Sequence, residues 1–291
     1  MDEQKIKSEL FESQFESFNT FKQCRYGKML YNIHDIYIGK ALDEYGEYSQ
    51  AEVDIFNKMV KPGQLVLDIG ANIGCHTLFF AKKVGPKGAV LAIEPQRIIF
   101  QTLCANLALN SITNTYCEHI ALGEVAGHCI LPSINYQQEA NYGAVSLDNF
   151  QNIEKGEKTL IKTIDAFGFP RCDFIKIDVE GMEASVIKGA ENTIKKFKPI
   201  LFVENDRLDK SEALIGLIEQ HGYNLYWAIT PLYNPNNFLN NHNNIYGKTI
   251  SVNMLCVHKT RSQSIELPKV KDVTENYKQF IQRISANGKT K

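Results

Sequence analysis

The chain has no surplus of positive charge. Its 291 residues carry 32 lysines and arginines against 33 aspartates and glutamates, a formal net charge of -1. A protein that holds nucleic acid by its phosphates normally shows a basic excess, so no nucleic-acid partner is expected. Long apolar runs are also missing. None approaches the ~18 residues a membrane helix needs, and no membrane span is expected. The opening residues, Met1-Asp2-Glu3-Gln4-Lys5, lack the apolar stretch of a signal peptide, and the expected location is cytoplasmic. The seven cysteines are scattered, odd in number and form no CxxC pair. That pattern argues against a disulfide framework or a zinc site and fits a reducing compartment. Most are expected as small core hydrophobes. Cys75 stands apart because it adjoins a glycine loop.

What is present is a regular alternation of apolar runs and helical patterns. Leu65 to Ile69, Ala89 to Ile93, Thr115 to Ile120, Phe174 to Ile177 and Ile200 to Val203 read as strands. Between and after them, residues 73–83, 97–109, 183–197 and 211–221 read as helices. This order predicts an α/β fold with a mostly parallel sheet covered on both faces. Residues 223–229 and 251–257 read as two strands without a helix between them, so an antiparallel hairpin is expected at one edge. Residues 1–21 place Ile6, Leu10, Phe11, Phe15, Phe18 and Phe21 at helical spacing, which predicts an amphipathic helix that packs on the main domain or makes a homodimer contact. Asp35 to Gly39 reads as a short strand and turn. Ser49 with Glu52 reads as a capping box for a helix from Gln50 to Val60. The expected division is a helical and aromatic extension over 1–48, a catalytic domain over 49–260 and a polar tail over 261–291, with one helix near 272–284. Two polar segments interrupt the pattern: 132–160, and 234–244 with seven asparagines in eleven residues.

The sharpest motif is Asp68-Ile69-Gly70-Ala71-Asn72-Ile73-Gly74 between a strand and a helix. Glycines there let backbone approach a ligand. The acid two residues before Gly70 would repel a pyrophosphate and suits a cationic ligand. Glu94 ends the second strand, 20 residues after Gly74, where a carboxylate can accept from both ribose hydroxyls. A positive charge beside a free ribose describes S-adenosylmethionine. Tyr48, in the turn Tyr45-Gly46-Glu47-Tyr48-Ser49, is placed to close over such a cofactor.

A second acidic group follows a later strand: Lys176-Ile177-Asp178-Val179-Glu180-Gly181-Met182-Glu183, joined by Glu204-Asn205-Asp206 at the next strand end. Acids at these tips would converge on one crevice. Asp178, Glu204 and Glu180 are the expected catalytic acids, with His76 as a further candidate base. Alternatively Asp178, Glu204 and Asp206 would bind Mg²⁺ and lower the pKa of an acceptor hydroxyl. Glu183 reads as a helix cap, Glu180 alternatively as a surface partner of a lysine, and Lys176 as an inward partner for one of the acids. His242 is an outsider in the asparagine segment.

These motifs are similar to those of the FkbM family of S-adenosylmethionine-dependent methyltransferases. The likeness rests on Asp68 to Gly74, Glu94-Pro95, the run Phe174 to Glu183 and the lead-in Leu42 to Ser49, and it covers about Ile36 to Val257. It implies a Rossmann-like class I fold with a seven-stranded sheet. It implies cofactor roles for Asp68, Gly70, Asn72, Gly74 and Glu94, and usually methylation of a hydroxyl. Members act on polyketide-derived products and on sugars of capsules, lipopolysaccharides and glycolipids. The expected activity is therefore O-methylation of a sugar or other hydroxylated small molecule. Asparagines and tyrosines in 136–143 and 234–247 would match hydroxyls, and Trp227 and Tyr233 could stack on a sugar face, though Trp227 also reads as core. A nicotinamide-binding protein is a rival reading, but Thr77 stands where its third glycine would be. A non-catalytic relative that kept the cofactor pocket is another.

Overall fold

The computed structural model describes residues 17–144 and 156–288. Strands β1 (Asn19–Cys24) and β2 (Gly27–Asn32) form an antiparallel hairpin, followed by helices Ile38–Tyr45 and Gln50–Met59. Then come β3 (Leu65–Ile69), helix Cys75–Val84, β4 (Ala89–Ile93), helix Arg97–Leu109 and β5 (Thr115–Glu118). Three short strands, β6 (Ala121–Leu122), β7 (Gly127–Pro132) and β8 (Gly156–Lys162), make a separate small sheet. The chain returns through β9 (Phe174–Ile177), helices Glu183–Lys188 and Glu191–Phe197, β10 (Ile200–Glu204) and helix Leu208–Gln220. It ends with β11 (Tyr223–Pro231), β12 (Ile250–His258) and helix Tyr277–Gly288.

The main sheet has seven strands in the order β11-β12-β10-β9-β3-β4-β5. Only β12 runs against the rest, wedged between β10 and β11. Alternate residues of the central strands enter two cores. Leu67, Ile69, Ile175, Ile177, Leu201 and Val203 face one. Val66, Val90, Phe174 and Phe202 face the other, against Phe56 and Phe80. Burial on both faces is why these strands read as unbroken apolar runs. The order reverses at β3, whose neighbours are β4 and β9. A crevice opens there at the carboxyl ends of the strands.

Several local expectations are corrected. Asp35 to Gly39 is not a strand. The Asp35 carboxylate accepts from the amides of Tyr37 and Ile38 and so starts the helix Ile38–Tyr45. The capping box at Ser49 does not form. Ser49 has a left-handed φ of 46° and makes no side-chain cap bond. The single helix over 183–197 is two, because Asp165 takes the amides of Asn192 and Thr193 and caps a fresh start. Gly189 permits that break: a Cβ on it would lie 2.0 Å from the Gly123 carbonyl oxygen. The helix expected over 1–21 lies mostly outside the described residues, and its last three residues belong to β1. The tail adds to the open edge of β11. The Trp227 amide donates to Pro268 and the Val270 amide to Leu225, and Trp227 is buried against Phe280. Among the described residues, no helix is long and apolar enough to cross a membrane.

The asparagine segment is an internal brace. Glu47, 5% exposed, accepts from Arg25 Nε at 2.5 Å, Asn234 Nδ2 at 2.7 Å and the Phe238 amide at 2.9 Å. Asn237 and Asn241 bond each other, and Asn241 Nδ2 also donates to Glu44. The Tyr45 hydroxyl donates to the Asn243 carbonyl. Glu47→Ala should lower unfolding free energy by about 3 kcal/mol, the usual cost of breaking a buried ion pair on one side. An unchanged midpoint in urea would remove this brace from the account.

Candidate functional site

The carboxyl ends of β3, β4, β9 and β10 line one cleft of about 370 Å³, which also takes Asn141, Gly143 and Ala144 from the 132–160 segment. The glycine loop forms one wall. Gly70 has φ 74°, and a Cβ there would stand 1.8 Å from the Asp178 carbonyl oxygen. Only glycine lets the loop cross the end of β9. Glu94, 4% exposed, steadies this wall: Oε2 accepts the Asn72 amide at 3.0 Å and Oε1 the Gln96 amide at 2.8 Å. Burial pushes its carboxyl up to about 7, against the pull of those two amides. Gly70, Asn72, Glu94 and Tyr48 all face the cleft.

Asp68 and Gly74 do not line it. Asp68 is fully buried beneath the loop, where it accepts the Thr77 hydroxyl at 2.6 Å. Its Oδ1 has no hydrogen-bond partner and lies 3.7 Å from Lys176 Nζ. Gly74, with φ 90°, turns the chain into the helix Cys75–Val84. Lys176 is 3% exposed and also meets Asp178 Oδ2 at 3.1 Å and the Gly70 carbonyl at 3.4 Å. Burial works against its charge, but Asp178 and Asp68 outweigh burial and hold the ammonium above its ordinary pKa.

The same cleft gathers the acids at and just after the ends of β9 and β10. Carboxylate oxygens of Asp178, Glu180 and Glu204 lie within 4.8 Å of one another. Glu180 thus takes the place expected for Asp206, which also lines the cleft but sits 3.3 Å from Arg207 Nε. Glu180 adopts a left-handed φ of 56° and pairs with Arg207 Nη2 at 2.5 Å, an arginine rather than the expected surface lysine. Burial first, then Asp178 and Glu180, push the Glu204 carboxyl well above the usual range. Burial and Asp178 raise Glu180 as well. Glu183 accepts the amides of Val179 and Gly181 and fixes the turn before its helix, a structural role.

His76 lines the cleft, 6% exposed, with Nε2 lacking a hydrogen-bond partner. Burial and then Lys176 hold its pKa well below the ordinary value. Sequence reasoning missed Glu52, which faces His76 from the helix Gln50–Met59. The available signal was an acid beside Val53 and one turn before Phe56, on the buried face of that helix. Arg207 and Tyr37 were missed too. None of residues 234–244 lines the cleft, His242 included. Tyr233 packs on Tyr45, and Trp227 is 1% exposed in the core. Neither can stack on a ligand in this cleft.

The Glu94 titration has a definite sign. A folded-state pKa raised from 4.5 to about 7 contributes stability below the unfolded value, and that contribution is lost as pH rises through about 7. Glu94→Gln removes the titration. In thermal melts without ligand, wild type should therefore lose ground to Glu94→Gln between pH 5 and pH 8. A difference that does not vary with pH would contradict this.

The sequence model of the Methyltransferase FkbM domain matches residues 68–225, more than half of the chain. AMB antimetabolite synthetase AmbE of Pseudomonas aeruginosa is 26% identical over 206 residues, which span 57% of this chain and 10% of that protein. Ribosomal RNA large subunit methyltransferase E of Bdellovibrio bacteriovorus is 40% identical over 70 residues, 23% of this chain and 36% of that one. The chain spans less than two thirds of the length of these relatives. The crystal structure of a methyltransferase FkbM from Methylobacillus flagellatus is 18% identical with a TM-score of 0.42, covering 69% of this chain and 50% of that one. The matched segment opens on Asp68 and takes in the glycine loop, Glu94 and both acidic strand ends, and the chain belongs to the FkbM methyltransferase family.

Proposed function

We propose that the chain transfers a methyl group from S-adenosylmethionine to a hydroxyl of a sugar or glycoconjugate precursor. The observation that carries this reading is one cleft that gathers two sets of residues: Gly70, Asn72 and Glu94 from the ends of β3 and β4, and Asp178, Glu180 and Glu204 from the ends of β9 and β10. The donor set fits the cofactor. Gly70 lets the loop pass tight against the Asp178 carbonyl and so reach the cleft wall. Glu94 keeps acceptor lone pairs for a ribose, and the carboxylates outnumber Lys176 and Arg207 in the lining, which suits a cation. When bound, S-adenosylmethionine supplies an electrophilic methyl group.

The chain's own contribution is alignment and proton management. Holding two reactants at near-attack distance supplies ~7–11 kcal/mol. A base at the acceptor adds ~10²–10⁴-fold. Asp178 is the proposed base: its side chain is 39% exposed to the cleft and anchored by Lys176. Glu204 and Glu180 retain protons more readily and would hydrogen-bond the acceptor. His76 is a reserve base, kept neutral by its burial. The same three carboxylates could instead hold Mg²⁺, which would lower the acceptor's pKa.

A second acceptor class is favoured by one feature. The asparagine segment contributes no residue to the cleft lining, while Tyr37, Ile38, Leu232 and Ile250 do. That mixed lining suits a less polar natural product carrying a hydroxyl.

Calorimetry with S-adenosylmethionine should show binding, and Glu94→Ala should weaken it at least ~10-fold, the worth of a lost charged hydrogen bond. Labelled methyl transfer to nucleotide sugars, capsule fragments, hydroxylated natural products and an rRNA transcript would then identify the acceptor. Label in the sugar pool, slowed ~10²-fold in Asp178→Ala, is the expected result. Label confined to RNA would overturn the reading. A chelator that stops transfer would move Asp178, Glu180 and Glu204 from acid–base work to metal binding.

A further inference from the structure

Glu52 and His76 form a buried polar corner in which the proposed transfer uses His76 only as a reserve base and gives Glu52 no task. Glu52 is 4% exposed and His76 is 6% exposed, yet both line the cleft. Glu52 Oε2 faces His76 Nε2 at 3.7 Å, too far for a hydrogen bond, and Nε2 has no other partner. An unsatisfied polar atom in so buried a place is costly unless a ligand completes it. Oε1 of Glu52 takes the Asn253 amide at 2.9 Å, a neutral donor. Burial raises the Glu52 carboxyl, and the Ser251 hydroxyl, another neutral donor, and Lys176, acting only through space, draw it back. What the corner lacks is therefore a cationic donor with more than one hydrogen.

Its position says which. The Asn72 amide of the glycine loop donates to Glu94, and the loop runs on into the helix that carries Cys75 and His76. Glu94 and the Glu52–His76 corner are thus both joined to this loop, and both open to the same cleft. S-adenosylmethionine has a ribose on one side of its sulfur and an amino acid on the other. With the ribose at Glu94, its α-ammonium is the multi-hydrogen cation available to the corner.

We infer that Glu52, with His76 beside it, binds the α-ammonium of the cofactor's methionine moiety. An ammonium can donate to the carboxylate and to neutral Nε2 together, which one hydroxyl cannot do. The inference rests on the cofactor reading above, but it does not need the acceptor. Tyr48, whose ring lies 5.9 Å from that of His76, would close the corner from the turn before Glu52.

Calorimetry on the full chain tests it with three probes: S-adenosylhomocysteine, the same compound without its α-amino group, and 5′-methylthioadenosine, which lacks the whole amino acid. Wild type should bind the deaminated compound at least ~10-fold more weakly than S-adenosylhomocysteine, the worth of one charge-assisted hydrogen bond. Glu52→Gln should weaken S-adenosylhomocysteine by a similar factor and leave 5′-methylthioadenosine unchanged. In that variant the amino group should no longer matter, closing the cycle. Equal wild-type affinity for the two homocysteine compounds would overturn the inference. So would a Glu52→Gln protein that loses all three ligands by one common factor. If Glu52→Gln does not fold, the wild-type comparison and His76→Gln carry the test. Wild type that binds no adenosyl ligand at all would instead sink the cofactor reading, and this inference with it.

Discussion

Lys176 Nζ stands 3.1 Å from Asp178, 3.4 Å from the Gly70 carbonyl and 3.7 Å from Asp68, with almost none of its side chain in solvent. The rest of the site depends on that placement. Asp68 is sealed under the loop and would be costly as an uncompensated charge. Asp178 is held at the tip of β9, facing the cleft. The Gly70 carbonyl ties the glycine wall to the same ammonium. Loop, buried acid and strand-tip acid therefore behave as one unit rather than three neighbouring features.

The sheet makes this possible. β3 pairs with β4 on one side and β9 on the other, so the strand tips bearing Asp68, Glu94 and Lys176 are adjacent by register. Asp68 lies opposite Lys176 across the β3–β9 ladder. Gly70 then crosses close over β9, which no side chain would allow. β10 brings Glu204 alongside, and Glu180 turns back through a left-handed residue to meet Arg207. A carboxylate-rich cleft results, buffered by one buried lysine and one half-exposed arginine. Such an environment favours a cationic ligand and raises the proton affinity of its acids.

Much of this was legible in the chain itself. Doubly buried strands give continuous apolar runs, so β3, β4, β9 and β10 could be read within a residue or so of their observed limits. A strand, a glycine loop and a terminal acid also carry a local signature. Residues whose roles depend on distant partners did not. Asp68 looked like a cofactor ligand because its spacing to Gly70 is local information. That it accepts from Thr77 and lies beside Lys176 beneath the loop is tertiary. Glu52 looked like a cap because Ser49 precedes it, whereas Asn253 and His76 are far along the chain. The asparagines of 234–244 looked like a hydroxyl-binding surface. Their amides serve Glu47, Glu44 and one another, an arrangement fixed only when the segment docks on the first helix.

A crystal structure of the chain with S-adenosylhomocysteine tests the central claim most directly. The account predicts the ribose hydroxyls on the Glu94 carboxylate and the thioether sulfur in the cleft, with Lys176 still joining Asp178 to the Gly70 carbonyl. A ligand bound away from Glu94, or a Lys176 side chain swung out of its acid cage to admit it, would contradict the account.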